Sequence, residues 1–233
     1  PYSHQRDVFA ETLLNGRDVV VTTGTGSGKT ECFVLPILAA LVRESARWAA
    51  SPPPAQQWDW WNHQGPRLSQ RGHEDTSQRP AAVRALVLYP LNALVEDQLA
   101  RLRAALDGDT ARQWLRSRRG DNRFYFGRYT RRTPLAGPQD QAKTRRLRNV
   151  LSDLEQAVSQ VAGSSAEPYF PRLDGGEMWS RWDMQESPPD ILITNYSMLN
   201  IMLMRNLEAR IFDLTRLWLD SDRQNVFHLV VDE

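Results

Sequence analysis

Nothing in this chain narrows its possible folds as much as the run Val19-Val-Val-Thr-Thr-Gly-Thr-Gly-Ser-Gly-Lys-Thr-Glu31. The β-branched stretch from Asp18 to Thr22 predicts a short strand, the alternate glycines Gly24, Gly26 and Gly28 a curled turn, and Lys29-Thr30 the first turn of a helix. Glycines so spaced let backbone N–H groups converge on one point, and the following helix adds the positive end of its dipole there. That is a phosphate cradle. Lys29 is placed to reach the β- and γ-phosphates, and the Thr30 hydroxyl to ligate Mg²⁺. A strict G-x-x-x-x-G-K-[ST] match fails by one residue, because Thr23 stands where the pattern opens with glycine.

Composition sets the frame around this loop. At 233 residues and 41% hydrophobic content the chain can bury one full core, so one large α/β domain over 1–233 is the simplest count. Its net charge of +1 gives no global basic field. Only Lys29 and Lys143 are lysines, the remaining basic residues being arginine. Arginine forks suit phosphate, but an arginine-rich chain equally reflects a GC-rich genome, and that plainer explanation is preferred. The lone Cys32 excludes an internal disulfide or a four-cysteine cluster in this segment. The longest apolar run, Phe33 to Val42, is too short to span a bilayer, contains Pro36, and no signal peptide opens the chain. A soluble, reducing, cytoplasmic setting, with no membrane partner, is the expectation.

In chain order, a helix begins near Tyr2-Ser-His-Gln5, with Val8, Phe9 and Leu13 on one face and Asn15-Gly16 as its stop. After the loop, a helix over about 29–47 buries Phe33, Ile37, Leu38 and Leu41, with a bend at Pro36. The stretch 51–80, with its prolines and Trp58, Trp60 and Trp61, reads as an irregular insertion that docks on its own domain. His63 and His73 match no zinc spacing. A strand at Ala85 to Tyr89 leads through Pro90-Leu91-Asn92 into a helix with Leu94, Leu99, Leu102 and Leu106 as its apolar side. Arg112 to Arg119 reads as a short solvated helix, and Phe124 to Phe126 as a third strand ending at Gly127-Arg128-Tyr129-Thr130.

A second insertion covers about 132–189. It holds a helix over 139–161, on which Leu147, Val150, Leu151, Leu154, Val158 and Val161 recur, and an irregular Gly/Pro/Ser-rich part. Ile191 to Thr194 resumes the sheet, Ser197 to Arg205 is helical, and Val226 to Val231 is a buried strand running into Asp232-Glu233. The continuous apolar strands favour a parallel sheet covered on both faces, with its ligand at the carboxyl ends of the strands. The unusual residues collect at those ends: Gly24 to Thr30, Pro90 to Asn92, Gly127 to Thr130, Thr194-Asn195-Tyr196 and Asp232-Glu233.

With these motifs in hand, the chain resembles the first RecA-like domain of a superfamily 2 helicase, over its whole length apart from the two insertions. The resemblance implies a RecA-like P-loop NTPase that uses ATP and Mg²⁺. Thr23-Gly24-Thr25-Gly26-Ser27-Gly28-Lys29-Thr30-Glu31 resembles motif I, and Gln5 the adenine-reading glutamine, with Tyr2 where such proteins place a ring against the base. Val231-Asp232-Glu233 resembles motif II, which would give Asp232 the metal through its water shell and Glu233 the attacking water. Pro90, Leu91 and Asn92 resemble motif Ia. Gly127, Arg128 and Thr130, like Thr194, Asn195 and Tyr196, resemble the nucleic-acid loops that follow it.

The phrases Tyr-Pro-Leu-Asn-Ala-Leu and Thr-Asn-Tyr-Ser-Met-Leu look most like RecQ-related DNA helicases with a DUF1998 region, which favours DNA over RNA. The resemblance further implies a second RecA-like lobe of the same chain that supplies arginines, and little turnover from 1–233 alone. A P-loop ATPase that moves no nucleic acid, an RNA helicase, a component of a bacterial anti-phage system and a binding module without turnover remain as alternatives.

Overall fold

The computed structural model describes residues 2–24, 26–52, 58–90 and 92–232. They form two compact units, 1–48 and 49–233.

In the first unit, helix α1 spans Ser3–Leu13 and helix α2 spans Lys29–Ser45. At the start of α1 the Tyr2 N–H donates to Gln5 Oε1 at 2.8 Å. Val8 and Leu13 are half-buried while Phe9 is exposed, so the inward stripe is narrower than the sequence implies. Along α2, Cys32, Pro36, Ile37 and Leu41 are buried at helical spacing, and Pro36 interrupts one backbone bond without ending the helix. Asp18 to Thr22 corrects the sequence reading. It carries no regular structure and joins no ladder, and Val20 is 89% exposed. β-Branched residues favour extended backbone, but a strand exists only through a hydrogen-bonded partner, and the described residues of this unit include no strand to pair with.

The second unit is built on four parallel strands in the order β2-β3-β1-β4: β1 (Ala85–Tyr89), β2 (Phe126–Tyr129), β3 (Ile191–Asn195) and β4 (His228–Val231). β1 is buried throughout, as a parallel strand covered on both faces should be. Helix α3 (Asn92–Leu102) follows β1 and passes through a π-turn at Arg103–Asp107 into α4 (Asp109–Arg118). Helix α5 (Gln141–Val161) is capped by Asp140, whose Oδ1 accepts the Lys143 N–H at 2.8 Å. Short α6 (Arg181–Glu186) is capped by Ser180, and α7 (Tyr196–Met204) and α8 (Ala209–Ser221) complete the set. One sheet face packs Leu86, Leu88 and Leu192 with Tyr125, Tyr129, Met184, Met198, Met202 and Ile211.

Several boundaries differ from the sequence reading. β2 begins at Phe126, because Tyr125 is engaged before the ladder starts: its N–H donates to Asp190 Oδ2 at 2.8 Å, and its carbonyl accepts from Asp190 and Ile191. Gly127 to Tyr129 therefore lie inside the strand instead of after it. Val95, Leu99 and Leu102 on α3 and Leu106 in the π-turn after it are buried, whereas Leu94, one residue off that stripe, is 40% exposed. Val150 is likewise 40% exposed while Leu147 and Leu151 face inward. Among the described residues β4 pairs with β1 alone, and Leu229 and Val231 are 57% and 52% exposed, so this edge strand is half-covered instead of buried.

The two irregular segments are one body. Trp60 and Trp61 from 51–80 bury themselves with Leu147, Leu151 and Leu173 from 132–189, and Trp179 meets Trp61 edge-on at 5.4 Å. Glu155 on α5 accepts from Trp61 Nε1 at 3.0 Å and from Asn62 at 2.8 Å. A buried ionic cluster lies below, at the amino ends of the strands. Asp190, 0% exposed, receives Arg71 at 3.0 Å, Arg84 at 3.1 Å and Arg79 at 3.5 Å. Arg79 also pairs with Glu74, which accepts the Tyr125 hydroxyl at 2.9 Å. Burial alone would raise the Asp190 carboxyl, but Arg71, Arg84 and Arg79 together hold it below the usual carboxylate range.

Candidate nucleotide loop and strand-end residues

The loop between Thr23 and Thr30 is shaped by its glycines. Gly26 and Gly28 sit at φ +77° and +78°, a region that L side chains rarely adopt, and Gly28 is the residue immediately before α2. A Cβ at Gly28 would lie 2.4 Å from Gln5 Nε2, so only glycine lets α1 approach so closely, whereas at Gly24 and Gly26 the same test meets open space. The free volume lies over the turn, and the close packing beneath it. Gln5, 6% exposed, donates from Nε2 to the Gly28 carbonyl at 3.0 Å, and His4 Nε2 meets the Ser27 carbonyl at 3.0 Å.

Lys29 Nζ reaches back across the loop to the Thr23 carbonyl at 3.0 Å. Ser27 Oγ bonds Thr23 Oγ1 and the Gly24 carbonyl, each at 2.7 Å. These contacts set the turn around an ammonium, with the positive end of a 17-residue helix behind it. The donor set fits a phosphate chain: backbone N–H groups, one ammonium and the Thr30 hydroxyl on the helix's first turn. Glu31 lies beside Gly28, and Cys32 is buried next to the same carbonyl, its thiol pushed up by burial and then by Glu31. Tyr2 is 63% exposed, with its ring stacked on His4 at 5.6 Å. Thr25 lies outside the described residues.

In the second unit, the register sets the carboxyl ends of the strands level: Tyr89 is opposite Asn195, Tyr129 opposite Thr194, and Leu88 opposite Val231. One edge therefore gathers Pro90, Thr130, Thr194, Asn195, Tyr196 and Asp232. Leu91, Glu233 and the Asn92 side chain lie outside the described residues. Several members of the set are engaged internally. Thr194 Oγ1 donates to the Tyr129 carbonyl at 2.6 Å, Thr130 is 1% exposed and its carbonyl accepts from Arg181 at 2.7 Å, and Asn195 Oδ1 caps α7 through the Met198 N–H at 2.8 Å. Gly127 is buried, and a Cβ there would stand 2.9 Å from Met184 Sδ. Arg128 pairs with Glu96 of α3. Pro90 and Tyr196 face solvent, as do Arg131 and Arg132, two cations directly after β2 that the motif-centred reading passed over. Their adjacency to Thr130 was the available signal.

A family model for the DEAD/DEAH box helicase matches residues 2–124, which include the loop, α1, β1 and α3. The chain is a member of the DEAD/DEAH box helicase family. It is also similar to Druantia protein DruE of Escherichia coli (strain UMEA 4076-1), with 32% identity over 283 aligned positions that take in 100% of this chain and 14% of that protein. The chain thus spans about one-seventh of the length of that relative. No solved structure matches it. For a helicase-family chain the α/β fold with its parallel sheet is the expected one, and the specific likeness to RecQ-related proteins has no counterpart among these matches. No helix among the described residues is long and apolar enough to cross a membrane.

Proposed function

We propose that this chain is the ATP-binding lobe of a nucleic-acid-stimulated motor, a helicase or translocase acting on DNA. The observation that carries this reading is the loop itself: two left-handed glycines ahead of α2, with Gln5 clamped to the second and Lys29 spanning the turn. Gln5 and Tyr2 would take the adenine, residues 23–31 the phosphates, and Thr30 and Asp232 the Mg²⁺. When bound, the metal neutralises charge that develops on the phosphates, and Glu233 would orient the attacking water. At the strand ends, Pro90, Leu91 and Asn92, Thr130 with Arg131 and Arg132, and Asn195 and Tyr196 would form the strand-contact loops, with Gly127 and Arg128 inside β2 and Thr194 on the Tyr129 carbonyl as their support. A second RecA-like lobe would complete the γ-phosphate site.

The test is ATP hydrolysis by the intact protein with and without single-stranded DNA or RNA. Stimulation by DNA supports the reading, and equal turnover without nucleic acid favours a P-loop ATPase of another kind. A place in a bacterial anti-phage system is a second reading, favoured by the likeness to Druantia protein DruE. Loss of phage resistance in cells carrying Lys29→Ala would support it.

A further inference from the structure

The resemblance that singled out Gln5 gave no role to His4, the residue before it, although both side chains end on the glycine loop. His4 is half-buried, and its Nε2 lies 3.0 Å from the Ser27 carbonyl. A carbonyl oxygen only accepts, so Nε2 carries the proton and donates. The Tyr2 ring stacks on the imidazole, within 10° of parallel at 5.6 Å. Gln5 donates to the next carbonyl along, that of Gly28, also at 3.0 Å. Two consecutive carbonyls are thus drawn toward α1 by two consecutive side chains.

Each tie fixes a donor as well as an acceptor. In a trans peptide the C=O and the following N–H point in opposite directions, and the described residues include no cis bond. A Ser27 carbonyl held against α1 therefore turns the Gly28 N–H away from that helix, and the Gly28 carbonyl does the same to the Lys29 N–H. Gly28 is left-handed, at φ 78° and ψ 34°, and Lys29 opens α2. A left-handed residue followed by a right-handed one is the alternation that makes successive N–H groups converge on an anion. Phosphate and carbonyl oxygens are both acceptors, so a carbonyl swung to the ligand side would repel what the N–H should meet.

We propose that His4 is a positioning residue: its imidazole N–H pins the Ser27 carbonyl to α1 and so keeps the Gly28 N–H aimed at the phosphates. The inference deepens the function proposed above and rests on it. Lys29 can leave the Thr23 carbonyl for a phosphate, whereas the His4 tie is the same with nucleotide bound as without.

The test is the affinity of the intact protein for ADP with Mg²⁺, by isothermal titration, in His4→Phe and His4→Gln. Phenylalanine keeps a ring for Tyr2 to stack on and removes the donor, while glutamine loses the ring and returns an N–H at similar reach. His4→Phe should bind ADP about tenfold more weakly, the scale of one lost hydrogen bond, and His4→Gln should bind it as the unaltered protein does. A role in packing alone would give the opposite ranking. Affinity kept in His4→Phe overturns the inference alone, as does equal weakening in both variants or failure of His4→Phe to fold. No ADP binding by the unaltered protein overturns the proposed function, and this inference with it.

Discussion

The glycine loop and the Asp190 cluster both fasten distant stretches of chain through polar groups, and they do so by opposite means. Around the loop the ties are single hydrogen bonds to backbone carbonyls: Gln5 to Gly28, His4 to Ser27, Lys29 to Thr23. Around Asp190 the ties are guanidinium to carboxylate, fully buried, with Arg71 and Arg79 also lying over the Tyr125 ring at 5.2 and 5.5 Å. A bond to a neutral carbonyl can be given up to a ligand at small cost, because both groups can re-pair. A buried charge that loses its partner cannot. The difference teaches which region is built to exchange partners and which to stay closed.

Asp190→Asn probes the closed region most severely. It leaves Arg71, Arg79 and Arg84 with surplus buried charge, and breaking such a set costs on the order of 3–5 kcal/mol. Urea titration of the intact protein should show that loss, or the variant should fail to accumulate as folded protein. Lys29→Ala should do the reverse. Melting temperature should hardly move, while ATP turnover falls by about 100-fold or more, the usual consequence of removing one donor aimed at developing charge. Strand binding should stay measurable. Unaltered turnover would show that the loop does not hold the triphosphate.

Asp107 sharpens the contrast between buried carboxylates. It is 5% exposed like a core residue, yet its oxygens accept from the Gly176 N–H at 2.8 and 3.0 Å instead of an arginine. Burial raises it to about 6. A carboxyl raised in the folded state stabilises below its unfolded value, and that contribution is lost as pH climbs through the folded one. Asp107 therefore makes the fold less stable between about pH 4 and pH 6–7, by roughly 2–3 kcal/mol. Asp190, held low, acts in the opposite sense and loses its contribution as pH falls. Denaturation midpoints across this range should be flatter for Asp107→Asn than for the unaltered protein. The smallest expected effect is that of Gly28→Ala. A side chain at φ +78° with its Cβ 2.4 Å from Gln5 should cost about 1–2 kcal/mol and weaken nucleotide affinity by displacing the glutamine. Isothermal titration with an ATP analogue measures it.

The sequence announced what depends on local chemistry. β1 follows from its unbroken apolar run, and the glycine turn from residues that no other backbone geometry requires. What depends on distant partners stayed hidden. Arg71 and Asp190 are 119 positions apart, and no periodicity in 51–80 marks Arg71, Glu74 and Arg79 as core. Asp18 to Thr22 finds no ladder partner among the described residues and so is not a strand. α8 has no place in the sequence reading although Ile211, Thr215 and Trp218 recur at four and three; Arg210, Asp213, Arg216 and Asp220 lie on its exposed side. At the strand ends the motif spacing brought Pro90, Thr130, Thr194 to Tyr196 and Asp232 to one edge of the sheet, but it set Gly127 and Arg128 after a strand that contains them. It could not distinguish side chains turned outward, such as Tyr196, from those spent on the fold, such as Thr194.

The shared tryptophan core of 51–80 and 132–189 has a practical corollary. Excising either segment to obtain a minimal enzyme would strip the cover from the other's indoles and open the ionic cluster to water, so a shortened variant made that way should turn insoluble. The two must be grafted, trimmed or swapped between homologues as a matched pair.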